Sequence, residues 1–259
     1  MNLEWIRLLE IQRDLYRIPR GMVRFREYLR VMVDETGDEL RLPPLVAMNP
    51  MGKDHIPALL DALLALDAES VAARALAEAS EQVADVPGTY KAGLVIADDL
   101  MGGWTNRFAC EFNSLSPVRC TRGRGWMSIV LWSSEPAAAQ TIRQLVLTTV
   151  YRAAYLLKHG VAHTLRALMA QEGHVRALAG CTEPALDPDD LEYTREVVAP
   201  LLDAQDMRTM MECLFGDAAG RTLGFTPRGL SPWAGIALAL HDARTQTGIG
   251  RDVRLSPTS

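Results

Sequence analysis

The sequence predicts a helix-rich α/β fold: a small mixed or parallel sheet of two to four strands surrounded by helices, with an all-helical C-terminal half. Three observations carry that expectation. Residues 91–97 and 126–132 are apolar continuously rather than in alternation, the pattern of strands covered on both faces. Much of the rest repeats apolar residues at helical spacing. Helix-start and helix-stop residues, among them Asp67, Ser133, Asp187 and Gly216, punctuate those repeats.

The first helix is read over residues 3–17, from Trp5, Leu8, Leu9, Gln12 and Leu15. Pro19 opens the next, which carries Met22, Phe25, Tyr28 and Met32. Arg13, Arg17, Arg20, Arg24 and Arg30 give this arm a basic stripe, read as a solvated face paired with Glu10, Glu27 and Glu35; the alternative is a contribution to an anion site. Residues 42–48, with Pro43 and Pro44, read as an edge strand or an extended segment. The turn 49–54 then leads into a helix from about His55, and Asp67 N-caps another. After residues 126–132, the cap at Ser133 starts a helix marked by Ile142, Val146, Val150 and Leu157. Gly160 and Gly173 punctuate the region beyond, Asp187 starts a helix, Gly216 ends one, and residues 233–240 are very apolar.

A chain of 259 residues with 48% hydrophobic and 23% charged residues buries on the order of 70–75% of its unfolded surface. That favours one domain, 1–259, with an α/β part over 1–134, a helical part over 135–245 and a frayed tail over 246–259. Lys+Arg 27 against Asp+Glu 32 gives a net charge of −5, which argues against nucleic acid and anionic membranes as partners. The apolar runs fall short of the roughly 20 residues that span a bilayer. The charged start lacks a leader pattern, so the expected location is cytoplasmic. Cys110, Cys120, Cys181 and Cys213 form no C-x-x-C pair and read as reduced thiols.

Each strand candidate ends in a polar or glycine-containing turn, and ligands of open parallel sheets lie beyond the strands' carboxyl ends. The richest turn runs from Asp98 and Asp99 through Gly102, Gly103 and Asn106 to Arg107. Two adjacent carboxylates offer acid–base chemistry or a hard-cation site. The glycines let the backbone cradle an anion, and Arg107 adds a planar fork that binds carboxylate or phosphate. Asp98 and Asp99 are therefore the catalytic candidates. Lys53, Gly102, Gly103, Asn106 and Arg107 are the substrate-binding candidates, Lys53 only if its helix begins at the same sheet edge. On this reading Asp98→Asn or Asp99→Asn abolishes binding with little change in melting temperature.

The turn 49–54 departs from the phosphate-loop pattern, with Ala47 at the first glycine and Asp54 at the hydroxyl position. His159, His163 and His174 have helical spacing but lack H-E-x-x-H, so no metal is assigned. The loop with Arg119, Arg122 and Arg124 reads as solvated. The functional expectation is a small-molecule enzyme or ligand-binding protein acting on a carboxylate- or phosphate-bearing substrate, with carboxylate acid–base or divalent-cation assistance. No cofactor is identified. The alternative is a non-catalytic helical scaffold that forms a homo-oligomer or binds a protein partner through residues 233–240.

Overall fold

The computed structural model describes residues 1–34, 36–37, 39–101, 106–116 and 125–247. Among them are a three-stranded parallel sheet and eleven α-helices, and the C-terminal half is helical. The chain divides into two compact units: unit 1 is Met1–Cys110 with Pro117–Ala154, and unit 2 is Glu111–Ser116 with Tyr155–Ser259.

In unit 1 the strands β1 (Asn2–Trp5), β2 (Thr89–Ala97) and β3 (Trp126–Trp132) lie in the order β1-β2-β3, all parallel. Trp5 pairs with Ala92, and Ala97 with Trp132. The central strand is buried at every residue from Ala92 to Ala97, which is why its sequence does not alternate.

The helix expected over 3–17 is split. Its first residues form β1, and α1 spans Leu9–Arg17. The cause is a buried carboxylate: Glu69, on α4 (Ala68–Gln82), accepts from Trp5 Nε1 at 2.6 Å, Leu8 N at 2.9 Å and Leu9 N at 2.8 Å. It thereby supplies the acceptor that α1's start lacks. Beyond the end of β1, the Gln12 carboxamide stands in for strand backbone. Its Nε2 donates to Leu94 O and its Oε1 accepts from Ile96 N, both at 2.9 Å.

The segment read as an edge strand is instead a 3₁₀-helix, Pro43–Ala47, packed against β2 and β3. Consecutive prolines fix φ at values the 3₁₀ turn shares and remove the donors a strand would need. It follows α2 (Met22–Met32) and leads through the 49–54 turn into α3 (His55–Ala65). Asp67 precedes α4 as expected but sits at φ 55 and makes no side-chain cap. After β2 comes α5 (Arg107–Ser114), and after β3 comes α6 (Ala139–His159), five residues later than the Ser133 cap would start it.

Unit 2 contains α7 (Leu165–Leu178), α8 (Pro188–Val198), α9 (Met207–Phe215), α10 (Asp217–Thr222) and α11 (Ala234–Thr247). Asp187 caps α8 through Asp190 N at 2.8 Å, and Gly216 ends α9 at φ 76, both as the sequence predicts. Gly173 does not break α7. A Cβ there would collide with the carbonyl of Ala239, so glycine allows α7 and α11 to cross closely. The apolar run is buried from Ala234 to Leu240, inside unit 2's core.

Candidate functional site

Parallel pairing brings the carboxyl ends of β2 and β3 to one edge, and the first residue of α3 arrives there too. Asp98, the residue after β2, has a side chain 0% exposed. Asp98 Oδ1 meets His55 Nε2 at 2.9 Å and accepts from Leu100 N at 3.2 Å, Met101 N at 3.3 Å and Ser133 Oγ at 3.2 Å. Asn49 Nδ2 donates to its Oδ2 at 3.2 Å. Asp99 accepts from Ser134 N at 2.9 Å, Ser134 Oγ at 2.7 Å and Arg107 Nη1 at 3.0 Å. The Ser133 hydroxyl has one proton for two carboxylates, since it also lies 3.0 Å from Asp99 Oδ1, while it accepts from Asp99 N at 3.1 Å.

Burial alone would raise both carboxyls. For Asp98 this is outweighed by His55 and the Met101 and Leu100 amides, and for Asp99 by Ser134, Arg107 and Ser133. Both are held below the usual aspartate range and stay ionised at neutral pH. With Asp98 ionised, the neutral His55 ring carries its proton on Nε2 and presents a lone pair at Nδ1. That Nδ1 is buried and has no hydrogen-bond partner among the described residues.

The expected site residues fare differently. Arg107 reaches the edge, but Asp99 and Glu135 (Oε1 at 2.6 Å) flank its guanidinium, which also meets Ser134 Oγ at 2.8 Å and lies over the Trp132 ring. Asn106 accepts from Ala109 N at 3.0 Å, the bond of an N-cap for α5. Lys53 is exposed, two residues before His55, so its helix does begin at this edge. Gly102, Gly103, the loop containing Arg119, Arg122 and Arg124, and the tail from 248 lie outside the described residues.

His55, Asn49, Ser133 and Ser134 were not singled out from sequence. Ser133 and Ser134 read as a helix cap, and His55 only as the start of a helix. A histidine at the first turn of a helix that follows a polar turn is the one local signal for it.

Of the other histidines, His159 and His174 stack on Tyr155, with ring centroids at 4.4 and 5.5 Å, and His163 is exposed. Among the described residues no three His, Cys, Asp or Glu side chains converge as a metal centre, and no helix is long and apolar enough to cross a membrane.

Comparison with known proteins adds one short resemblance. Over 55 residues the chain is 36% identical to the Bacillus subtilis (strain 168) protein YjfC, described as an uncharacterized protein; the match covers 21% of this chain and 18% of that one. No family model matches the chain. No solved structure matches it either.

Proposed function

We propose that unit 1 is a small-molecule enzyme acting on an anionic substrate at the carboxyl edge of its parallel sheet, by carboxylate-assisted acid–base chemistry. The observation that carries the reading is the Asp98–His55 pair. A fully buried, ionised aspartate fixes one ring nitrogen and leaves the other without a partner. In that arrangement the neutral ring takes a proton at Nδ1 from a bound O–H or N–H. Asp98 stabilises the imidazolium, and the proton returns from the same atom. Asp98 is thus the positioning carboxylate of the pair rather than its proton carrier, because a carboxyl held below its usual range is a weak base near pH 7. Asp99 orders Ser133, Ser134 and Arg107 around it. The cation-assisted version is the weaker one, since both carboxylates already spend their lone pairs on N–H and O–H donors.

The scaffold alternative loses its best sequence feature, because residues 234–240 serve as core in unit 2. What favours it instead is exposed apolar surface in unit 1, where Met22 is 59% and Val23 69% exposed.

The test is the reactivity of His55. Ring-nitrogen NMR at pH 7.5 should find the Nε2–H tautomer, with Nδ1 as the bare nitrogen. Diethyl pyrocarbonate should acylate the ring, more slowly in Asp98→Asn. A His55 that carries its proton on Nδ1 instead, or that does not react, would end the acid–base reading.

A further inference from the structure

We propose that Arg24, together with Arg20 and Lys53, forms an oxyanion-binding corner against the 49–54 turn, which seats the carboxylate or phosphate group of the ligand. The inference rests on the small-molecule reading above and names its ligand chemistry.

Arg24 lies in α2 and is 7% exposed. A buried arginine ordinarily meets a carboxylate, because an unpaired charge in a low-dielectric setting is costly. Arg24 does not. Its Nε donates to Ile18 O at 2.7 Å and its Nη1 to Pro50 O at 3.4 Å, and the Tyr16 ring lies 5.1 Å from the guanidinium carbon. These contacts orient the fork without neutralising it. Burial draws its pKa down; the neighbouring Tyr16 opposes this, Arg20 adds to it, and Asp54 opposes it from the turn itself.

The rest of the basic stripe behaves otherwise. Arg13 pairs with Asp61, Arg17 with Asp14, and Arg30 with Glu27. Arg20, Arg24 and Lys53 form no ion pair among the described residues. The stripe is therefore two populations: Arg13, Arg17 and Arg30 in ion pairs, and Arg20 and Arg24 in none among the described residues, with Arg24 against the 49–54 turn.

That turn connects the corner to the Asp98–His55 pair. Arg24 holds the carbonyl of Pro50, the Tyr16 hydroxyl donates to the carbonyl of Asn49, and the Asn49 side chain donates to Asp98. Lys53 follows in the same turn, and His55 begins α3, so the positive end of the helix dipole faces the same place. A planar fork plus a flexible ammonium suits an oxyanion, bidentate to the arginine and point-like to the lysine. Arg107, the cation the sequence favoured for this task, is already flanked by two carboxylates.

The experiment titrates the intact protein with sodium phosphate and, separately, sodium acetate at constant ionic strength, following arginine Nε–H and backbone amide NMR signals. The expected result is a saturable shift of Arg24 Nε–H and of amides 51–55 with at least one of the two. Binding should weaken at least tenfold in Lys53→Gln and in Arg24→Lys, and be unchanged in Arg30→Gln. If Arg24→Lys does not fold, the surface double variant Arg20→Gln with Lys53→Gln decides. Wild-type affinity in the variants that fold, or an Arg24 signal that neither anion moves, overturns the corner. Shifts confined to His55, residues 98–101 and 133–135 overturn it too, while leaving the acid–base reading standing. Shifts at Arg24 and Lys53 that leave His55 and Asp98 untouched support the corner and count against that reading instead.

Discussion

In unit 2 the buried Glu212 meets Arg208 at 2.9 Å and Arg228 at 2.7 Å, and the buried Glu172 meets Arg176 at 3.3 Å. In unit 1 the buried Arg24 meets carbonyls and a ring among the described residues, while Asp98 spends its charge on a histidine, a carboxamide, a hydroxyl and two amides. The first arrangement pairs each buried carboxylate with an arginine one turn away on its own helix, and Glu212 also with Arg228 from the segment ahead of α11. The second leaves, among the described residues, a cation without a carboxylate and a buried imidazole nitrogen without a partner. Core packing does not call for either, and both attach to one turn at one sheet edge. A buried charge is informative when its partner is missing.

The largest expected effect probes what unit 1 spends on its sheet. Gln12→Leu keeps the volume but orphans Leu94 O and Ile96 N, two buried backbone groups at roughly 1–3 kcal/mol each. Urea unfolding should show that loss, whereas a change within about 0.5 kcal/mol would mean that solvent reaches this edge. Ile129→Ala, at a fully buried β3 position, should cost about 2–5 kcal/mol and gives the apolar benchmark for the same unit.

Asp98→Asn comes next, at about 1.5–3 kcal/mol for a buried charge-assisted network. The sequence reading expected little change in melting temperature for this substitution. The five donors converging on Asp98 replace that expectation. Its pH dependence separates the two units. Asp98 and Asp99 have depressed pKa values in the folded state, so their contribution is complete above the unfolded value near 3.9. It is lost as pH falls through the folded values. His174 in unit 2 is also lowered, by burial first and by His159 second. For this base the unfolded chain takes up the proton first, so α7 should lose protection as pH falls below roughly 6.5. Hydrogen exchange at pH 7.5 and 5.5 should therefore weaken α7 while leaving β2 and β3 unchanged. Equal loss in both, or loss in β2 alone, would break the contrast.

The legible parts of the fold were those where one local rule decides. Residues 91–97 announced a strand covered on both faces, as β2 is from Ala92 to Ala97. Residues 126–132 announced a strand too, but β3 alternates buried and partly exposed positions from Trp126 to Leu131, so one of its faces is less covered than the sequence predicts. Asp187 and Gly216 announced helix ends because capping is local chemistry. β1 was missed because residues 2–5 become a strand only through pairing with Thr89–Ala92, and a distant Glu69 fixes where α1 begins. The site was legible to the level of the edge and of Asp98 and Asp99. The surroundings of Arg107 were not legible, because sequence shows that it is near two aspartates but not that Glu135 also reaches it. Arg24 hid in a run of arginines of which Arg13, Arg17 and Arg30 are paired.

The smallest expected effect compares two surface cations. Arg195, on α8, bridges Asp242 on α11 with contacts of 3.0 and 2.8 Å, its side chain 46% exposed. An exposed bidentate pair is worth about 0.2–1 kcal/mol, so Arg195→Gln should lower unit 2's stability by about that much, and less in 1 M salt, where the Debye length is about 3 Å. Lys53 forms no ion pair among the described residues and stands in the turn just ahead of the positive end of α3. Lys53→Gln should therefore leave the melting temperature unchanged or raise it slightly, with the rise vanishing in the same salt. The opposite signs are the test. A surface cation that serves the fold costs stability when removed, and one kept for a ligand does not. If Lys53→Gln instead destabilises the protein as Arg195→Gln does, Lys53 belongs to the fold's own charge balance, and the oxyanion corner loses one of its three cations.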